Sequence, residues 1–389
     1  MPPDPARIRS AFATNSILGR FGVGGPGAYL ARVLHAGFGP ARVLARGDGG
    51  TGLPPGAVVT LRPSGLRKVL AGTRFQRLLA RGQRSERLEF DRWASRRLPP
   101  CDLAVLENST SLLTMRAARR RGARIVLKVN NHAFRAMKEA VAEEERRWGG
   151  PPFFIDDDLV ERTEAEAREA DLVFGMSESV LESLRGTGVP PGKLRRARYG
   201  VDAERFRPSP GGKPGFVVAF VGWLDLRKGY PYLVEAFRDA AIPGAELLLH
   251  GGSGDAFHHG LVERLRGKAA VRVVRGPVEE TYARASVTVL PSVSEAFGNV
   301  VPESMACGMP VIVTDRCGSA ECVTDGVDGF VIPARDPAAI RDRLRRLHDD
   351  PALRHAMGGA ARAKAQTLPW SLFQEDMKAI LNEVETPRS

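Results

Sequence analysis

Strand-length apolar runs alternate with longer helix-like stretches along nearly all of this chain, and that alternation restricts it to parallel sheets flanked by helices. In the first half such runs stand near Ser10–Thr14, Arg42–Leu44, Leu103–Leu106, Arg124–Val129 and Leu172–Met176; the first is only partly apolar. Helical patterns fall near Pro26–His35, Ser111–Arg121 and Ser177–Arg185, and Ser177 is placed to cap the last of them. A break without period follows from Tyr199 to Pro214, rich in proline and glycine.

The pattern then restarts. Strands are expected at Phe216–Val221, Glu246–His250, Val271–Val274, Val287–Leu290, Pro310–Thr314 and Gly329–Ile332. Helices are expected at Tyr230–Asp239, Val300–Cys307, Pro337–His348, Pro351–Thr367 and after Trp370. The 389 residues exceed one ordinary core. The reading is therefore α/β, with two doubly wound, Rossmann-like domains and a cleft between them. The first covers 1–205 and the second 214–367, with a final helix over 368–389.

Charge narrows the partners. The net charge is +12, and Arg62–Arg97 holds eleven Lys or Arg against three acids. Such a field suits nucleic acid, an anionic membrane surface or phosphorylated ligands. The alternative is that arginine merely solvates helices. No nucleic-acid motif accompanies the charge, so no nucleic-acid partner is expected. Within Ser64–Ser95, Leu66, Val69, Leu70, Phe75, Leu78, Leu79, Leu88 and Trp93 stand among arginines. The segment is either a peripheral contact with an anionic bilayer or an ordinary amphipathic helix on the sheet. The start, Met1-Pro-Pro-Asp-Pro, has no secretory pattern, and four cysteines without metal spacing read as reduced thiols. A cytoplasmic chain is expected, with a second reading that places it at the inner face of the membrane.

Chemistry concentrates in Pro291-Ser-Val-Ser-Glu295-Ala-Phe-Gly-Asn-Val-Val-Pro-Glu303-Ser-Met-Ala-Cys-Gly308-Met-Pro310. It follows a strand, and ligands in such folds sit beyond the carboxyl ends of strands. Asn299 reads as a helix cap and Gly308 as the stop. The amides around Gly298 to Val301 then point out of the helix start as an anion site. Glu295 and Glu303 beside it suit sugar hydroxyls better than phosphate. Their alternative is a capping acid and a surface loop acid.

These residues resemble the E-x7-E motif of retaining glycosyltransferases of family 4. The likeness extends through Cys307-Gly-Met-Pro-Val-Ile-Val-Thr314, Glu321 to Phe330, Phe220-Val-Gly-Trp-Leu-Asp-Leu-Arg-Lys228-Gly, and Tyr199-Gly-Val-Asp202 with Phe206 and Pro208. It covers about residues 168–345 and implies the GT-B fold. It also implies that Glu303 holds a ribose diol. Glu295 and the amides of Phe297, Gly298, Asn299 and Val300 would hold the donor sugar and phosphates, with Gly222 beside them, and Lys228 would grip the diphosphate. The base would lie near Arg275-Gly-Pro-Val278, contacted largely through backbone. Relatives carry Arg where Trp223 stands, so Arg227 is expected to supply the second cation, while Trp223 lines the pocket or packs.

In the first half, Phe21-Gly-Val-Gly24-Gly25-Pro-Gly27 precedes a helix. The spacing is not that of a dinucleotide fingerprint. The resemblance implies that Gly24 and Gly25 lie near the donor diphosphate and acceptor. It implies too that a histidine in the region of His132 lies near the reacting sugar; a satisfied surface histidine is the alternative. The final helix would cross back onto the first domain.

The expected reaction moves a hexosyl unit from a nucleoside diphosphate sugar to a hydroxyl of an acceptor glycan or lipid, in polysaccharide or glycolipid synthesis. The resemblance implies retention of anomeric configuration and no metal or other cofactor. No Asp-x-Asp loop is read, so Arg227, Lys228 and the amides carry the phosphate charge. Two alternatives stay open: a sugar-nucleotide epimerase or hydrolase of the same architecture, and a basic nucleic-acid-binding protein.

Overall fold

The computed structural model describes residues 9–18, 24–37, 42–48, 51–61, 76–153, 155–210, 215–252 and 255–385. Two parallel sheets carry the chain. The first holds β1 (Ser10–Leu18), β2 (Arg42–Asp48), β3 (Val58–Thr60), β4 (Leu103–Glu107), β5 (Arg124–Val129), β6 (Leu172–Gly175) and β7 (Leu194–Arg196). Its order is β3-β2-β1-β4-β5-β6-β7. The second holds β8 (Val217–Val221), β9 (Glu246–His250), β10 (Val271–Val274), β11 (Val287–Leu290), β12 (Val311–Thr314) and β13 (Gly329–Ile332), in the order β10-β9-β8-β11-β12-β13. Each order reverses direction once, between β1 and β4 and between β8 and β11. Those two points are where such sheets open a crevice.

The weak first strand is central. Ala11, Phe12, Ala13 and Thr14 are buried, because β1 pairs with β2 on one side and β4 on the other. A strand covered on both faces needs no alternation of polar and apolar residues.

In chain order, the helices flanking the first sheet are α1 (Gly24–Gly37), α2 (Gln76–Arg97), α3 (Leu112–Arg120), α4 (Phe134–Trp148), α5 (Asp157–Glu169) and α6 (Glu178–Arg185). Those of the second are α7 (Tyr230–Ala240), α8 (Ala256–Arg266), α9 (Val278–Arg284), α10 (Val300–Ala306), α11 (Pro337–Asp349) and α12 (Pro351–Gln366). The sequence reading assigns no element to α4, α5, α8 or α9, nor to the edge strands β3 and β7. Ser177 does cap α6, accepting from the Val180 amide.

The last helix, α13 (Trp370–Glu385), places Phe373, Met377, Ile380, Leu381 and Val384 in the core of the first sheet. Arg195–Glu383 and Arg198–Asp376 ion pairs hold its outer face. The chain thus passes between the domains twice, and the passages touch: the Val201 amide donates to the Leu368 carbonyl at 2.8 Å. Gly200 is required here, since a Cβ would stand 2.4 Å from the Trp370 nitrogen.

In α2, Phe90, Ala94 and nearby Leu98 are buried and Trp93 packs against the same core. The apolar face of this half of the basic segment packs on the first domain. Residues 62–75 lie outside the described residues. No described helix is long and apolar enough to cross a membrane. All four cysteines are buried thiols outside any disulfide.

Candidate active site

Between the two switch points lies a cavity of about 970 Å³. Asn130, Asn131, Met176 and Tyr199 line it from the first domain. The second domain lines it with residues after β8, β9, β10 and β11, and the loops after β8 and β11 bring Arg227, Lys228 and Glu295 together.

The first loop leaves β8. Asp225 caps a short 3-10 turn over Leu226–Lys228, accepting from the Lys228 amide at 3.1 Å. Gly229 then takes a left-handed φ of 64° and starts α7. This geometry turns both cations towards the second loop. Lys228 Nζ pairs with Glu295 Oε2, and an Arg227 NH1 lies 3.3 Å from the same oxygen and 2.7 Å from the Ser294 carbonyl.

The second loop leaves β11. It is pinned by Glu295 N donating to the Arg316 carbonyl at 3.0 Å and by Ser319 N donating to the Phe297 carbonyl at 2.8 Å. Gly298 has φ of 89°, and a Cβ there would press to 2.6 Å from the Leu290 side chain. The amides of Phe297, Gly298, Asn299 and Val300 donate to no backbone carbonyl among the described residues. All four residues line the cavity. Asn299 stands at the cap position of α10 but does not cap it: its φ and ψ of −52° and −25° are helical, its side chain makes no cap hydrogen bond, and its Oδ1 is buried with no partner among the described residues.

Electrostatics separate the two acids. Burial would raise the Glu295 carboxyl, but Lys228 and Arg227 outweigh it and hold the group at about 2. Glu303, also lining the cavity, feels the positive charge of Arg205, which burial outweighs. Burial pushes it up to about 7, although the Tyr282 hydroxyl donates to its Oε2 at 3.0 Å. One acid is a fixed carboxylate. The other titrates near neutrality.

Gly222, Trp223 and Val278 also line the cavity, so Trp223 does not pack: it is 59% exposed. Among the residues of the 275–278 segment, Gly276, Pro277 and Val278 reach the cavity. His132 is not among the lining residues. Its Nδ1 lies 2.8 Å from Ser294 Oγ and its Nε2 3.2 Å from Ser179 Oγ, and burial pushes its pKa down to about 4. Both of its ring nitrogens therefore have serine partners, one from each domain. Gly24 and Gly25 open α1, while residues 19–23 before them lie outside the described residues.

The Asp-x-Asp spacing does occur, at Asp156-Asp157-Asp158. There Asp156 caps α5 by accepting from the Leu159 amide, and the triplet is not part of the cavity. Among the described residues no cluster of His, Cys, Asp or Glu is disposed to hold a metal ion.

Several cavity residues escape the sequence reading. Arg205 pairs with Glu279 at 2.7 Å, and His250 Nδ1 lies 2.8 Å from Thr281 Oγ1, all around the 276–278 segment. On the opposite wall, Asn130 donates to Glu107, whose partner Lys128 is fully buried. Burial opposes the Lys128 charge, but Tyr199 and Glu107 outweigh it and raise its pKa. A polar side chain beside a strand end carries no periodic signal, so only the packed sheet reveals these.

Comparison with known proteins agrees with this geometry. Residues 202–364 match the family model described as glycosyl transferases group 1. The D-inositol 3-phosphate glycosyltransferase of Kribbella flavida is 31% identical over 241 residues, covering 55% of this chain. The chain covers only 57% of that relative's length. Among solved structures, sucrose-phosphate synthase from Thermosynechococcus elongatus superposes with a TM-score of 0.74 at 22% identity, over 97% of this chain and 99% of the other. Anabaena HepE in complex with UDP superposes with a TM-score of 0.70 at 18% identity, over 97% and 100%. With two Rossmann-like domains facing one cleft and these superpositions, the fold is GT-B, and its second domain resembles the glycosyl transferases group 1 model.

Proposed function

We propose that this protein is a glycosyltransferase that moves a hexosyl unit from a nucleoside diphosphate sugar to an acceptor hydroxyl, with retention of configuration and without a metal. The observation that carries the reading is the meeting of Lys228, Arg227, Glu295 and the amides of 297–300 on one side of a sugar-sized cleft. Two cations and four aligned donors suit a diphosphate whose charge grows as it departs. They supply what a metal ion provides elsewhere. Glu303 and the 276–278 segment lie along the same wall and suit the ribose and base. The relatives named as D-inositol 3-phosphate glycosyltransferases support glycosyl transfer, and the Anabaena structure named for its complex with UDP supports a nucleotide donor.

Neither acid is poised as a nucleophile. Glu295 is committed to two cations, and Glu303 to Tyr282. The step therefore proceeds on one face of the sugar. The anomeric carbon–phosphate oxygen bond breaks, and its electron pair leaves with the diphosphate. The acceptor oxygen bonds the anomeric carbon from the same side, and its proton passes to a diphosphate oxygen. The protein supplies position and field. The acceptor is a glycan or a lipid-linked glycan, a class that the basic surface would attract when it carries phosphate.

Calorimetric titration with the uridine, guanosine and adenosine diphosphates and their glucose conjugates tests the donor class, with micromolar binding of at least one expected. Proton NMR of the product then reads the anomer. An inverted product would overturn retention, consumption of the donor without acceptor would mark an epimerase or hydrolase, and no binding of any of the six would sink the proposal.

A further inference from the structure

The N-terminal wall of the cleft contains a polar group that nothing among the described residues satisfies. Glu107 ends β4 and Lys128 stands opposite it in register on β5. Glu107 Oε1 accepts from Lys128 Nζ at 3.3 Å and from Asn130 Nδ2 at 2.6 Å, while its Oε2 accepts from the Thr14 hydroxyl. Lys128 is fully buried and Glu107 nearly so. This cluster lies on β1, β4 and β5, at the switch point of the first sheet.

The cluster fixes which way the Asn130 amide faces. An amide oxygen set against the Glu107 carboxylate would be repelled, so the nitrogen must take that side. The carbonyl oxygen is then turned away from Glu107. Asn130 lines the cavity, and its Oδ1 is buried with no hydrogen-bond partner among the described residues. A buried acceptor left unmet is costly and rare in folded proteins. Held by a charged pair and aimed in one direction, it is prepared for a donor that arrives with a ligand.

We propose that Asn130 Oδ1 is a substrate-binding group that accepts a hydrogen bond from a sugar or polyol hydroxyl entering the cleft. This rests on the proposed function and adds a recognition residue from the first domain to it. Two ligands offer the same chemistry: the hexose of the donor and the hydroxyls of the acceptor. Tyr199, in the same wall, stacks edge-on against Phe297 at 5.4 Å between ring centroids. The wall therefore directly faces the loop that carries Glu295, where the two substrates meet.

The test compares the wild-type chain with Asn130→Ala and Asn130→Ser; the serine keeps a polar side chain but lacks the amide carbonyl that reaches the ligand. Binding is titrated with whichever nucleoside diphosphate and nucleoside diphosphate glucose the wild type takes, and the acceptor KM is measured in transfer. Both variants are expected to bind the nucleoside diphosphate within twofold of wild type. Both should lose about threefold to tenfold elsewhere, the worth of one hydrogen bond. A loss in nucleotide-glucose affinity assigns the hydroxyl to the donor hexose. A loss confined to the acceptor KM assigns it to the acceptor. Should a variant be unfolded by circular dichroism, deoxyglucose conjugates titrated against the wild type replace it. In that arm one deoxy position should lose the same factor. The inference is overturned if nucleotide glucose and acceptor are handled by the variants as by wild type, or if the bare diphosphate weakens equally, or if no deoxy position and no acceptor hydroxyl matters. A wild type that binds no nucleotide at all would instead remove the function on which this inference rests.

Discussion

His132 joins the two domains directly, its Nδ1 resting 2.8 Å from the Oγ of Ser294, next to Glu295 in the chain. Ser179 takes the other ring nitrogen, so the imidazole is clamped between a serine of each domain. Burial, with Arg227 and Arg316 adding to it, holds this histidine at about 4. A histidine released into water titrates near 6.5. The contact therefore contributes in full above about 6.5 and is lost as pH falls towards 4, because only the opened arrangement takes up the proton readily. Small-angle scattering should show the domains separating between pH 6.5 and 4.5 in the wild type. His132→Phe, which cannot take up a proton, should remove that dependence; an identical transition in the variant would refute the role.

Lys228 and Glu295 form an ion pair that a diphosphate would have to share. Replacing Lys228 by Ala leaves Arg227 alone with the acid and should weaken nucleoside diphosphate binding at least tenfold, with transfer falling about 100-fold to 1000-fold. Replacing Glu295 by Gln should act differently. It frees both cations, so bare diphosphate should bind as tightly as before or more so, while transfer still drops by about 100-fold. Equal losses of diphosphate affinity in the two variants would contradict the assignment of phosphate to the cations and sugar to the acid.

Gly200 stands where the two interdomain passages touch, with room for no side chain against the Pro369–Trp370 backbone. Gly200→Ala should force these strands apart and destabilise the chain by about 1–3 kcal/mol. Thermal denaturation would register the loss, and limited proteolysis should show new cutting near residues 199–201 and 368–370. A melting temperature within error of wild type would mean that the backbone yields without strain.

Much of this arrangement is legible in the residues themselves. Both switch-point sheets follow from alternating periods; Glu295 and Glu303 stand out because glycine and proline punctuate their loop, and Lys228 through the family resemblance of the motifs around it. Other features need the third dimension. The α4 segment reads as charge because Glu144, with no exposure, is neutralised by Arg335 and Tyr232 of the second domain, far away in sequence. That Asn299 does not cap α10 depends on the Gly298 backbone and the pinning of 295–297, which residue type alone does not encode. His132 is visible as a candidate, but its two serine partners lie 47 and 162 residues away. Asn130 is ordinary in sequence and becomes conspicuous only when Glu107 and Lys128 pair behind it.

Glu303 offers the clearest dependence on pH. Its carboxyl sits at about 7 because burial disfavours its charge. A carboxyl raised in this way holds a proton that the unfolded chain gives up, so its ionisation costs stability as pH rises through 7. Binding runs the other way. Ligand hydroxyls donate best to the ionised acid, and their hydrogen bonds replace the water that burial removed. Affinity for a nucleotide sugar should therefore rise from pH 6 to pH 8, by roughly three- to tenfold. The sugar ester is the right probe, since its diphosphate keeps one charge across that range whereas a free terminal phosphate titrates within it. Glu303→Gln should bind more weakly at pH 8 and show a flat profile. If the variant keeps the wild-type slope, another group sets it, and Glu303 does not meet the ligand.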